Sequence, residues 1–460
     1  MAVTPPTTLS FHGATGTVTG SKYVLETGDT QVMIDCGLFQ GFKQLRLRNW
    51  APPPIDPARL DAIVLTHAHI DHSGYLPIMV REGFRGPIYC TPGTAELCAI
   101  LLPDSGRLHE LDAEYANRKG FSKHAPALPL YTEADAVRAL ERLRPVGFDR
   151  DVDVAPGVAV NFALAGHILG AATALIRHPR GTLLASGDLG RPDDPLMLPP
   201  APRRASDDLI IESTYGDRLH DRTPPAQALA AVIQRTVDRG GVVVIPSFAV
   251  GRTQTLLLLI DRLKQAGTIG DVPVFLDSPM AIAATGAYRH NRPTHRLDDD
   301  ECARMCEASR YVNDAKESKE LDERGGPMIL ISASGMATGG RVVHHLKKLG
   351  PDPRNTILFV GFQAGGTRGA ALVGGARQIK IHGEYVAINA EVASLDMLSA
   401  HADQDEILAW LRTCEVAPAR TYVTHGEPAA ADALRHRIEE ELGWRCVVPE
   451  HHDRVELGRE

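Results

Sequence analysis

Three histidines and an aspartate fall within six residues in His67-Ala68-His69-Ile70-Asp71-His72. The apolar run Ala62 to Leu65 leads into them, and Gly74 lets the chain turn away behind them. His67 and His69 alternate at strand spacing and point the same way, whereas Asp71 and His72 fall on the turn beyond. Neutral imidazole suits zinc and a carboxylate is a harder ligand, so an HxHxDH cluster can serve two adjacent ions. A polar loop merely rich in histidine would leave imidazole and carboxylate groups unpaired beside an apolar strand, which is costly.

One motif cannot fill two coordination shells, and the same grammar of strand, ligand and glycine recurs along the chain. VAVNFALAGH delivers His167, and GTLLASGDLG delivers Asp188, whose two oxygens can bridge two cations. DLIIESTYGDR carries Glu212, and ARTYVTHGE ends a strand in His425. MLSAHADQDEILAWL places His401 just before a helix, with Asp403 as N-cap and Glu406 three residues on, a capping-box pattern. Asp35, in the Asp-Cys-Gly that ends an earlier strand, is a candidate to orient a ligand or a metal-bound water. His109, His124 and the pairs His344-His345 and His451-His452 lack a strand-end setting and are expected at the surface or edge.

The elements that must hold these groups divide into two kinds. Near the start, Ser21 to Glu26 and Gln31 to Ile34 alternate around a Gly28-Asp29 turn, and residues 103–150 look mostly helical. From about residue 215 to 387, buried strands alternate with helices, which predicts a parallel sheet covered on its faces. This block is expected to be a second domain inserted between 1–214 and 388–460. Its strand ends carry glycine-rich turns instead of ligands: SFAVGR with Ser247 and Arg252, SASGMATGGR with Ser334, Gly335 and Arg341, and FQAGGTRGA with Gly365, Gly366 and Arg368. Backbone amides at helix starts attract phosphate, so the three turns favour an anionic ligand, a polymer among the candidates.

At 460 residues the chain fits two domains. Its 43% hydrophobic and 23% charged content is that of a globular enzyme and excludes disorder or fibre as a global reading. A net charge of -8 argues against coating nucleic acid by bulk charge but leaves room for a local phosphate-binding groove. Seven scattered cysteines without a CxxC pair fit a reducing compartment. With no basic, apolar leader and no apolar run near 18 residues, the expectation is a soluble cytoplasmic protein without a membrane partner.

Asp35, the HxHxDH run, His167 and Asp188, in this order, resemble the four motifs of the metallo-β-lactamase fold, an αββα sandwich. Glu212, His401 and His425 resemble the three further motifs of the β-CASP ribonucleases, and PSFAVGR, LDSPMA, SGMATGGR and GFQAGGT resemble that family's inserted domain. The family's usual aromatic before SAHAD is here Leu398. The resemblance implies two Zn2+ per subunit: His67, His69 and His167 on one, Asp71, His72 and His425 on the other, and Asp188 on both. It implies His401 as the acid for the leaving oxygen, Glu212 as its orienting partner, and Asp35 hydrogen-bonded to a ligand or water. It further implies hydrolysis of single-stranded RNA by metal-activated hydroxide in RNA processing or decay, with a homodimer as a candidate assembly. The 5% aromatic content suggests contacts to phosphate and 2′-hydroxyl groups more than base stacking. The competing readings are a thioesterase- or lactonase-type hydrolase, which would need neither Glu212, His401 nor the inserted block, and a non-catalytic RNA-processing scaffold.

Overall fold

The computed structural model describes residues 6–120 and 122–458. These form two compact units, the first made of the described residues on either side of residues 220–400 and the second of residues 220–400 themselves.

The first unit is built on two seven-stranded sheets. One orders Arg454–Leu457, Thr7–Phe11, Tyr23–Thr27, Thr30–Ile34, Ala62–Val64, Ile88–Cys90 and Leu143–Pro145. The other orders Cys446–Val447, Arg420–Thr424, Asp208–Glu212, Gly181–Ala185, Ala172–His178, Val158–Leu164 and Asp151–Ala155. Alternate residues of both sheets form one core, including Phe11, Val32 and Val64 from the first and Phe162, Ile176 and Tyr422 from the second. The opposite face of the second sheet buries Leu209 and Ile211 against Leu408 and Trp410 of the helix Gln404–Leu411 and Leu434 and Ile438 of the helix Pro428–Leu442. The result is the layered α/β sandwich that the motifs imply.

Each sheet is antiparallel on one side and parallel on the other. The parallel strands Thr30–Ile34 and Ala62–Val64, and Gly181–Ala185, Asp208–Glu212 and Arg420–Thr424, all end where the candidate ligands begin. The stretch 103–150 is less helical than expected. The helix Pro92–Lys119 runs through Pro103, and Glu133–Leu140 is a second helix, but Leu143–Pro145 is an edge strand of the first sheet; just beyond the stretch, Asp151–Ala155 is an edge strand of the second.

The second unit holds a six-stranded, all-parallel sheet in the order Arg310–Tyr311, Val274–Asp277, Met328–Ser332, Val242–Pro246, Thr356–Val360, Glu391–Leu395. Its central strands VVVIP and MILIS are buried along their whole length, as strands covered on both faces must be. Val342, Val343, Leu346 and Leu349 of the helix Arg341–Leu349 pack with Val244, Leu330 and Phe359 in one core. His345 on that helix is fully buried, contrary to the surface position expected of the His344-His345 pair. It lies one helical turn from the buried leucine ridge and finds carboxylate partners inside, a tertiary fact that local sequence does not carry. Among the described residues no helix is long and apolar enough to cross a membrane.

Candidate metal centre

Thr66 and His67 leave the end of the strand Ala62–Val64, while Asp71 and His72 lie on a single helical turn, Ile70–Ser73, in place of an open turn. His69 precedes that turn, so ring nitrogens meet from both sides. His67 Nε2 lies 3.1 Å from His69 Nδ1, and His167 Nε2 lies 3.2 Å from the same atom. Asp188 Oδ2 is 3.4 Å from His67 Nε2 and 3.6 Å from His167 Nε2. On the other side His72 Nε2 is 3.1 Å from His425 Nε2 and 3.3 Å from Asp188 Oδ1, and Asp71 Oδ2 is 3.7 Å from His425 Nε2. The donor atoms fall into two sets, His67, His69, His167 and Asp188 in one and Asp71, His72 and His425 in the other, each within 4.8 Å.

These groups fit a metal. Asp188 Oδ1 is buried without a hydrogen bond, and an unsatisfied buried carboxylate oxygen is costly unless a cation meets it. Burial drives the imidazoles of His67 and His167 down, and that of His69 down to about 3, so all three are neutral ligands at pH 7. Burial would also depress His72, but the charges of Asp188 and Asp35 reverse the sign and hold it well above its usual value. Burial works against the charge on Asp188, and the histidines around it, His425 first, outweigh it to keep the carboxylate ionised.

The supports around these groups decide their orientation. Asp35 accepts from His72 Nδ1 at 2.8 Å and from Thr66 N at 2.8 Å and Thr66 Oγ1 at 2.9 Å. It therefore orients His72 and leaves Nε2 facing the cluster. Thr214 Oγ1 lies 3.0 Å from His425 Nδ1 and does the same on the other side. Thr214 sits inside the Glu212 motif and Thr66 directly before the histidine run, yet nothing in their type or spacing marks them, because a threonine after a strand usually has only a local role. Gly187, before Asp188, has φ +55°, and a Cβ there would lie 2.8 Å from Thr66 Cβ. Glycine thus lets the Asp188 loop close on the His67 strand.

Glu212 accepts from Leu189 N at 2.7 Å and lies with both oxygens 3.2 Å from His401 Nδ1. Burial disfavours the His401 cation, but the Glu212 carboxylate outweighs it and raises the pKa. His401 stands 4.0 Å from Asp188 and outside both donor sets of nitrogen and carboxylate ligands described above. Asp403 and Glu406 form the expected capping box, with bonds of 3.0 and 2.9 Å.

In the second unit the three glycine-rich turns leave neighbouring strand ends and touch one another. Ser247 N donates to Ser332 O, and the Gly335 carbonyl accepts from Gln363 Nε2 at 3.2 Å. Ser334 Oγ accepts from Thr338 N, and Gly365 is half-buried beside an exposed Gly366 in the third turn. Arg341 and Arg368 are engaged within the unit, Arg368 by the second turn. Arg341 bonds Asp277 Oδ1 at 2.5 Å and the Asn313 carbonyl at 2.9 Å, and Arg368 bonds the carbonyls of Ala337, Thr338 and Lys380. Arg252 is buried at the start of its helix.

Fold and site together define a metal-dependent hydrolase of the metallo-β-lactamase type. Residues 15–237 match the metallo-β-lactamase superfamily, 253–372 the β-CASP domain, and 385–449 the Zn-dependent metallo-hydrolase RNA specificity domain. The chain is 35% identical over 435 residues to Ribonuclease TTHA0252 of Thermus thermophilus, covering 92% of this chain and 94% of that one. It is 32% identical to transcription termination factor FttA of Methanocaldococcus jannaschii, covering 98% of this chain and 71% of that protein. A crystal structure of a protein of unknown function from Enterococcus faecalis shares the fold, with a TM-score of 0.55, 14% identity, and coverage of 98% of this chain and 100% of the other. The chain belongs to the β-CASP family of metallo-β-lactamase-fold hydrolases that act on RNA.

Proposed function

We propose that this chain hydrolyses phosphodiester bonds of single-stranded RNA at a centre of two zinc ions. The reading rests on one observation above all: the buried Asp188 belongs to one donor set and its Oδ1, which has no hydrogen bond, lies 3.3 Å from His72 Nε2 of the adjacent set. His67, His69 and His167 would hold one ion and Asp71, His72 and His425 the other, with Asp188 available to both. When bound, such a pair supplies Lewis-acid charge at the attacking and leaving oxygens and lowers the pKa of bound water towards about 7.

The chain supplies the rest. His401, held at Nδ1 by Glu212, would protonate the leaving oxygen, and the Glu212 carboxylate outweighs burial to raise its pKa. Asp35 and Thr214 hold the rings of His72 and His425 in register. In the inserted domain, Ser247, Ser334, Gly335, Gly365 and Gly366 offer backbone and hydroxyl donors to the RNA backbone, Arg368 orders the turn whose carbonyls it bonds, and Arg252 and Arg341 open the helices behind the other two turns. A cytoplasmic setting is consistent with relatives named as a ribonuclease and a transcription termination factor.

The zinc-loaded chain is expected to cleave end-labelled single-stranded RNA and to leave a small thioester untouched. The opposite pattern would assign the site to small-molecule hydrolysis.

A further inference from the structure

A second set of facing imidazoles lies outside both donor sets of the metal centre, where the strands Thr7–Phe11 and Arg454–Leu457 meet. The strands Thr7–Phe11 and Arg454–Leu457 pair antiparallel, and the pairing continues through Phe11 N to Asp453 O and His452 N to Phe11 O. His12 follows the first strand and His452 precedes the last. Their Nδ1 atoms stand 3.1 Å apart, although 440 residues separate them in sequence. The other ring nitrogen of His12, Nε2, is occupied by Ser10 Oγ at 3.1 Å. That partner fixes the ring and leaves Nδ1 for the pair, as the outer hydrogen bond of a metal-ligating histidine does. The ring of His451 lies tilted by 40° against that of His452 with centroids 3.8 Å apart, and its own Nδ1 is buried without a hydrogen bond.

The 3.1 Å separation is that of the metal centre itself, where His67 with His69 and His72 with His425 also stand 3.1 Å apart. Two nitrogens at this separation, each about 2.05 Å from one ion, subtend an angle of roughly 100°, between the octahedral and tetrahedral values. Imidazole suits zinc, copper and nickel. His452 holds a left-handed backbone, φ +75°, which is uncommon for a residue other than glycine and is what turns its ring towards His12. Burial, with His452 and Lys22 adding to it, keeps the pKa of His12 down at about 4, so its ring is a neutral ligand at pH 7. Lys22 directs its ammonium to the carbonyls of Gly20 and Gly37 and away from ligation.

We propose that His12 and His452 form a separate binding site for a divalent transition-metal ion, which ties the first strand of the chain to the last. Water fills the remaining positions, and His451 shields one side. The site has no part in the hydrolytic chemistry.

The test uses the zinc-loaded full chain and nickel(II) as the probe. After equilibrium dialysis against nickel, elemental analysis is expected to find one more nickel per wild-type chain than per His12→Asn or His452→Asn chain, with zinc content and RNA cleavage unchanged. Asparagine tolerates the left-handed backbone at 452, so that variant keeps the fold. Nickel should also raise the thermal midpoint of the wild type more than that of either variant. Equal nickel in wild type and both variants would overturn the proposal and leave a plain N–H···N hydrogen bond between the two rings. Because the readout is a difference between chains, it stands whatever ions the hydrolytic centre holds.

Discussion

Both units bury histidine and aspartate beside the ends of parallel strands, yet the two clusters close in different ways. In the second unit His345 bonds Asp322 from Nδ1 and Asp277 from Nε2, both at 2.7 Å, and Asp277 also accepts from Ser318 and Arg341 at 2.5 Å. Every strong donor there has an acceptor within the protein. In the first unit ring nitrogens face each other at 3.1 to 3.2 Å, and a carboxylate oxygen of Asp188 is buried without a hydrogen bond. The same two residue types therefore make a structural knot where the hydrogen-bond inventory closes and a metal centre where it does not.

The largest effect that can test this contrast is metal removal. Chelation should abolish RNA cleavage, and Asp188→Asn should lose zinc, whereas His345→Gln should keep its full zinc content; equal zinc loss in both variants would erase the distinction. Next is His401→Ala, expected to reduce cleavage by about 10² to 10⁴ with zinc retained. Zinc loss in that variant would move His401 into the ligand set.

The knot in the second unit has its own signature in pH. Two carboxylates outweigh burial and raise His345 from 6.5 to about 9. Because the folded pKa lies above the unfolded one, its stabilisation is complete below pH 6.5 and is lost as pH rises through 9. A shift of that size corresponds to about 3 kcal/mol. Unfolding followed in the second unit should show stability falling over this window in the wild type and a flatter profile in His345→Gln. A smaller effect is expected from Gly187→Ala, since a left-handed backbone at a residue with a Cβ costs about 1 to 3 kcal/mol and the Cβ would press on Thr66. Denaturant unfolding together with zinc retention measures it.

The chemistry of the first unit was legible because its ligands sit at strand ends in short, glycine-flanked motifs, from His67 to His425. Asp403 and Glu406 were legible for a related reason, since a capping box is closed within four residues. The aspartate of LDSPMA and the second histidine of GGRVVHH gave no such signal. Their bond spans 68 residues, and His345 reads locally as one of a polar pair on a helix that otherwise buries valine and leucine. The edge strand Leu143–Pro145 was equally hidden, being three residues long and half exposed, with its place set by pairing to Ile88–Cys90.

The sequence by itself determined which side chains could ligate or titrate, the order in which strands deliver them, and the alternation that makes the middle block a parallel sheet, because these depend on residue type and short-range periodicity. Only the tertiary structure decided which of them meet. It set Asp35 on His72, Thr214 on His425 and Glu212 on His401, closed the Asp277 to His345 network, and brought His12 to His452 across the whole chain. Such pairings depend on strand register and on burial of groups that must find partners once water is excluded, and neither is encoded in any single stretch of residues.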